Sequence, residues 1–243
     1  MTAVFLAFVF VVAVLAGAVA SITGFGIGSL LTPTVGIVSG TRVAVAAVAL
    51  PHFLGTALRL WMLRSRIDRA IFVRFGLASA IGGLTGALLH GRIGSPWLSA
   101  VFGGLLLFVA ISEFTGLARK MRFSGAVSLV AGALSGLLGG LVGNQGGIRS
   151  AALLGFEMSK TTFVATATAV GLVVDLARMP VYLATDGRDV AQLWPMVAVA
   201  TAGVIVGTIY GKDLLGKIPE SRFRTIVAVI LALLGVTMLM QAV

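Results

Sequence analysis

Eight apolar runs, each close to the length of a membrane-crossing helix, make up most of this chain, and its charges fall in the short stretches between them. The runs are residues 4–20, 43–63, 71–89, 98–117, 126–142, 162–183, 191–210 and 226–240. A helix needs about 20 residues to cross the hydrocarbon of a bilayer. Inside hydrocarbon the backbone must satisfy its own hydrogen bonds, so these runs are predicted as helices. Composition agrees. Hydrophobic residues are 58 % and charged residues 11 %, where soluble domains hold roughly 45–50 % and about 25 %. The first run lacks the positive segment that opens a signal peptide and continues into apolar sequence, so it is read as the first membrane helix.

Several function classes fall away. The net charge is +10, but the basic residues sit in loops, which suits cytoplasmic loops facing anionic lipid and not nucleic acid. The absence of cysteine excludes disulfides, a thiol nucleophile and Fe–S clusters. Two histidines in separate segments cannot form an all-His metal site, and no cofactor or metal is expected. The chain has no Walker-type phosphate loop, no His-Glu-x-x-His and no Gly-x-Ser-x-Gly. The leading expectation is therefore a transporter and not an enzyme. A non-transporting membrane scaffold and an intramembrane enzyme are the alternatives.

Two shorter apolar pieces, 27–38 and 147–156, each follow a glycine cluster, and this arrangement repeats. Gly24-Phe25-Gly26-Ile27-Gly28 and Gly143-Asn144-Gln145-Gly146-Gly147 lie 119 positions apart, as do Arg59 and Arg178. Gly82 and Gly86 match Gly203 and Gly207 after a two-residue shift. Loop charge reverses between the halves. Arg64, Arg66 and Arg69 follow the second run, with Arg74 just inside the next, but the counterpart loop has only Arg188 among Asp186 and Asp189. Arg92 stands alone where Lys212, Lys217, Arg222 and Arg224 fill the equivalent loop. Equivalent loops of opposite bias belong on opposite sides of a membrane. The expected fold is thus an all-α, polytopic transmembrane helix bundle of two inverted repeats, residues 1–122 and 123–243. Each repeat is a glycine-tipped helical hairpin plus three spans, and both termini lie outside the cytoplasm.

A helix that restarts after a glycine break turns free N–H groups and partial positive charge toward whatever faces it. Transporters built from inverted repeats place such ends near the midplane. The candidate substrate-binding residues are therefore Gly24, Phe25, Gly26, Gly28, Gly143, Asn144, Gln145, Gly146, Gly147 and Arg149. Asn144 and Gln145 offer amide donors, and the guanidinium of Arg149 suits an oxyanion. Glycine clusters such as Gly136–Gly140 also serve to pack helices, and Arg149 could instead snorkel or pair with Glu157. Candidates for the cavity wall or for coupling are His52, Thr166, Thr168, Asp175 and Arg178, the two threonines serving equally well as ordinary helix-packing residues. Asp175 and Arg178, three apart on a helix, can pair. His52 is either a proton-relay group or a hydrogen-bonded packing histidine. Arg59 and Arg178 stand near the ends of their apolar runs and are expected to snorkel.

These segments resemble the TauE/SafE family of sulfite and organosulfur-anion exporters. The resemblance rests on Ile22-Thr23-Gly24-Phe25-Gly26-Ile27-Gly28, on the stretch from Gly139 to Gly147, and on Arg64-Ser65-Arg66-Ile67-Asp68. It covers nearly the whole chain. Where the family often continues its second tip with aliphatic residues and proline, this chain has Ile148-Arg149-Ser150-Ala151. The resemblance implies a secondary transporter in a bacterial-type cytoplasmic membrane. It would move a small anion such as sulfite, a sulfonate or a carboxylate, with H+ or Na+ as coupling ion, and a homodimer is compatible with it.

Overall fold

The structure is a computed structural model, and it describes residues 2–117, 126–215 and 218–242. The expected boundary between the halves, at 122/123, and Lys217 lie outside the described residues. Those residues form helices α1 (Ala3–Thr23), α2 (Ile27–Leu63), α3 (Arg69–His90), α4 (Ser95–Thr115), α5 (Ala126–Val142), α6 (Gly146–Leu153), α7 (Lys160–Gln192), α8 (Trp194–Leu215) and α9 (Glu220–Met240). A single 3-10 turn, Arg64–Arg66, follows α2. Among the described residues, seven helices are long and apolar enough to cross a membrane, and Ala126–Val142 is a shorter apolar helix. The three tryptophans, Trp61, Trp97 and Trp194, are largely exposed and stand near helix ends, where indole rings anchor a protein at the membrane–water boundary.

Local chemistry sets the starts and stops. Thr2, Asp68 and Ser159 cap α1, α3 and α7 by accepting from the amides of Phe5, Ile71 and Thr162. Gly24 and Gly143 end α1 and α5 in the left-handed region, at φ 82° and 73°, a conformation a side chain would oppose. Each returns its N–H to the carbonyl four residues back, on Ala20 and Gly139.

Helix α2 is two helices joined at Gly40, where the backbone leaves helical geometry (φ 72°, ψ 158°). A methyl group added at Gly36 would touch Ala44, and one at Gly55 would touch Ile27. Residues 27–39 (α2a) therefore fold back along residues 41–63 (α2b). In the second half the short helix α6 ends at Leu153, earlier than its apolar run, and residues 154–159 are non-helical. The largest departure is α7. It continues to Gln192 and takes Asp186, Arg188 and Asp189, expected in a loop, into the helix. Asp186 is buried there and accepts from Arg42 Nε at 2.8 Å, which offsets the burial of its charge.

The halves are interlocked. Helix α1 packs along α8, the third long helix of the other half, and α5 packs along α3 in the same way. At both seams backbone meets backbone. A Cβ at Gly207 would lie 2.0 Å from Val14 O, and one at Gly140 would lie 1.9 Å from Gly83 O. The matched glycines Gly82, Gly86, Gly203 and Gly207 belong to these seams, the close approach that small residues permit in membranes. Two further helix pairs touch directly. Along α2b and α7, His52 meets Asp175 and Arg59 meets Thr168. Along α4 and α9, Gly103 and Leu107 meet Leu239 and Gly235. In both pairs the contacts run in opposite order along the two helices.

A candidate anion site where the glycine breaks cross

The two breaks touch. A Cβ at Gly28 would stand 2.3 Å from Gly143 O, and one at Gly146 would stand 2.2 Å from the Cβ of Phe25. Arg149, in the first turn of α6, reaches across and donates from Nη2 to Gly24 O at 3.0 Å. Its side chain is 2 % exposed, and Asn144 and Gln145 are each 4 % exposed. Ser135 Oγ holds the backbone of the second break by donating to Gln145 O at 3.0 Å.

A second layer of polar groups lies between α2b and α7. His52 Nδ1 and Asp175 Oδ2 are 2.6 Å apart. Arg178 donates from Nε to Asp175 Oδ1 at 3.0 Å and from Nη1 to Gly139 O at 2.7 Å. Arg178 thus ties the carboxylate to the end of α5, just before the second break. Arg59 donates from Nε to Thr168 Oγ1 at 2.9 Å. All of these residues are buried.

Three buried guanidiniums thus share one buried carboxylate, that of Asp175: Arg178 bonds it, and Arg59 and Arg149 lie within reach of its charge. Two positive charges are left over in a region where an uncompensated charge is strongly unfavourable. Among the described residues, Arg149 Nε and Nη1, Arg59 Nη1, Asn144 Nδ2 and both Nε2 and Oε1 of Gln145 are buried here without a hydrogen-bond partner. Most of these are donors, and buried donors are rarely left unused. What this arrangement lacks chemically is a small group that is negative and rich in acceptors.

A cavity of about 340 Å³ reaches the breaks from one end of the bundle. Phe25 of the first break and Gly147 and Ser150 of α6 line it. Lys160, Glu113 and Arg224 stand where α7 and α9 begin and α4 finishes. Arg224 Nε pairs with Glu113 Oε2 at 3.2 Å. Arg149 turns to the other side of α6, against Gly171 of α7, and none of Arg59, Arg149 and Arg178 lines the cavity. At the far end the elbow at Gly40 is fastened by the Arg42–Asp186 pair and by a 2.6 Å bond between Thr41 and Ser99.

A model of the family described as sulfite exporter TauE/SafE matches residues 9–238. The chain belongs to the TauE/SafE family. No curated protein and no solved structure matches it. TauE/SafE proteins are multi-pass membrane transporters of sulfite-type anions, and the seven long apolar helices agree with that.

In this TauE/SafE protein most of the expected site residues meet, but several do other work. Arg59 and Arg178 do not snorkel. Both are buried, at 3 % and 2 % exposure, and bonded inside the protein, because α7 runs well past Arg178 and Thr168 takes Arg59. Arg149 bonds the opposite break, while Glu157 is exposed. Thr166 accepts from the amide of Asp68, fixing the loop after α2b, and Thr168 acts through Arg59. Gly147 packs against Val109 of α4 as well as lining the cavity. Sequence reasoning missed Arg59 as a member of the cluster and Ser135 as its support. The equal spacing of Arg59 and Arg178 from their glycine breaks was the available signal for the first.

Proposed function

We propose that this protein is a secondary transporter that exports a small oxyanion, with sulfite, a sulfonate or a related organosulfur or carboxylate anion as its class of substrate. The carrying observation is the surplus of two buried guanidinium charges, with unpartnered donors, where the two glycine breaks cross. Arg149, Asn144, Gln145 and the amides that follow Gly26 and Gln145 are the proposed anion contacts. Arg59 adds charge from α2b. The breaks themselves form the partition between the cavity and the guanidiniums.

The halves, residues 1–122 and 123–243, are proposed to be inverted repeats. The reversed order of contacts between α2b and α7, and between α4 and α9, supports this. So does the reciprocal packing of each first helix on the other half's third. The basic loop at Arg64–Arg69 and residues Lys160, Arg222 and Arg224 share one end of the bundle, which the distribution of positive charge assigns to the cytoplasm. The cavity then opens inward, as an exporter loading its cargo requires. A scaffold has no need of a cavity that touches both breaks.

The test is a flux screen of sulfur oxyanions, sulfonates and carboxylates in proteoliposomes. Movement of at least one, abolished or weakened in Arg149→Ala, supports the reading. No movement of any of them by well-inserted protein overturns it.

A further inference from the structure

His52 and Asp175 form the shortest of the side-chain bridges between α2b and α7, at 2.6 Å. Their placement differs from that of a pair serving only to hold helices together. Asp175 is fully committed, since its second oxygen is held by Arg178 and it has no exposure. His52 keeps 10 % of its side chain accessible and is the most exposed member of the cluster. A neutral imidazole that donates from Nδ1 to the carboxylate leaves a lone pair on Nε2. That nitrogen can take up a proton without breaking the bridge. The charged groups acting on the ring are Asp175 and Arg178 from α7 and Arg59 from α2b itself. From α2b Thr56 also approaches Nδ1, at 3.5 Å. Beside Gly55, one turn on from His52, α8 places Val204 and Thr208 and α2a places Ile27. Arg149 of α6 acts on the same carboxylate.

We infer that the His52–Asp175 bridge is the proton site of this transporter, taking up one proton on His52 together with the anion and releasing it with the anion. The inference rests on the proposed function. Its sign follows from charge. A proton on His52 raises the surplus of positive charge from two to three beside the proposed anion contacts, so each ligand favours the other, and thermodynamic linkage makes the effect mutual. Arg178 gives the coupling a structural route, since it bonds Asp175 on one side and the last turn of α5, ahead of the second break, on the other.

The first experiment needs no variant. Purified protein in weakly buffered solution is mixed with sulfate or methanesulfonate, whose acids are too strong to carry a proton near neutrality, and a pH indicator follows the solution. Uptake of protons on binding is the expected result. The second compares proteoliposome flux of the same anions at pH 5.5 and pH 8. Wild-type flux should be higher at the acid pH by about three- to tenfold, with protons moving alongside. His52→Gln can still donate to Asp175 but cannot titrate. Its flux at pH 5.5 should fall to the wild-type level at pH 8, and its proton uptake should vanish. Anion binding or flux with no proton movement overturns the inference and leaves the transporter standing. So does a His52→Gln protein that keeps the wild-type pH profile. Neither binding nor movement of any probe anion overturns the transporter reading and the coupling with it.

Discussion

Arg59 and Arg178 stand 119 positions apart, each at the same distance after a glycine break, yet of the two only Arg178 has a carboxylate bonded to it. The residue three before Arg178 is Asp175, and the residue three before Arg59 is Thr56. Arg178 is accordingly neutralised, while Arg59 has one bond to Thr168 and an unpartnered Nη1. At the 119-residue offset Asp175 corresponds to Thr56 and Arg149 to Leu30, and these two differences together leave the surplus of two charges. Thr56→Asp would remove the first of these differences and give Arg59 its own acid. The expected outcome is a half-saturation concentration raised by about tenfold or more, read from flux against substrate concentration, with normal insertion.

Arg149 should be the main side-chain anchor. A hydrogen bond to a charged group contributes roughly 1.5–3 kcal/mol, which corresponds to about a ten- to hundredfold change in affinity. Arg149→Ala should weaken apparent affinity by that factor. Arg149→Lys keeps charge but loses the planar fork and should recover only part of it. An unchanged half-saturation value in Arg149→Ala would leave the backbone at the breaks as the only contact.

The bridge between Asp175 and Arg178 should behave as a buried pair. Removing one partner of such a pair typically costs about 3–5 kcal/mol, because the other is left charged and alone. Arg178→Ala should therefore lower thermal stability in detergent strongly, all the more because Gly139 O loses its donor. The double variant Asp175→Asn, Arg178→Gln should melt above either single variant. A double variant no better than the singles would mean that the two do not act as a pair.

Contact between the breaks can be tested with one methyl group. Gly28→Ala places a Cβ within 2.3 Å of Gly143 O, a backbone atom that cannot swing aside. The breaks must separate, and flux should fall by more than tenfold while the protein still inserts. Gly147→Val is less informative, because its side chain would meet Val109 of α4. Full activity in Gly28→Ala would show that the breaks need not touch.

The inverted arrangement can be read by labelling, since the chain has no native cysteine. Ser65→Cys should react only with reagent on the cytoplasmic side and Arg188→Cys only from outside, both positions being exposed. Asp186 is unsuitable, as it is buried against Arg42. Labelling of both positions from one side would establish parallel halves.

Much of the architecture was legible because hydropathy acts along one dimension. The apolar runs became helices, and the glycine clusters before Ile27 and Gly147 became breaks, since an apolar segment interrupted by glycine has few other options. What the sequence obscured depends on neighbours distant along the chain. Arg178 read as lipid-facing because its apolar run ends at residue 183, yet α7 continues to Gln192 once Arg42 neutralises Asp186. Thr166 read equally as a cavity or a helix-packing residue, and its partner, the amide of Asp68, is one that nothing near it in sequence could announce. The unused donors of Arg59, Asn144 and Gln145 were likewise invisible, because a donor is known to be unused only once every neighbour has been placed.

The glycine seams have a consequence for how the chain is made. Helix α1 is made well before the surface it fits, which belongs to α8 and begins only at Trp194. During synthesis α1 must wait, its glycine face against lipid or against a chaperone, until nearly all the remaining chain has been threaded. Its half cannot mature before the other. A ribosome stalled after the first four helices would leave a fragment with a seam open at α1 and a second at α3, recognisable to quality control as incomplete. Supplying the missing half as a separate polypeptide in the same membrane should close both.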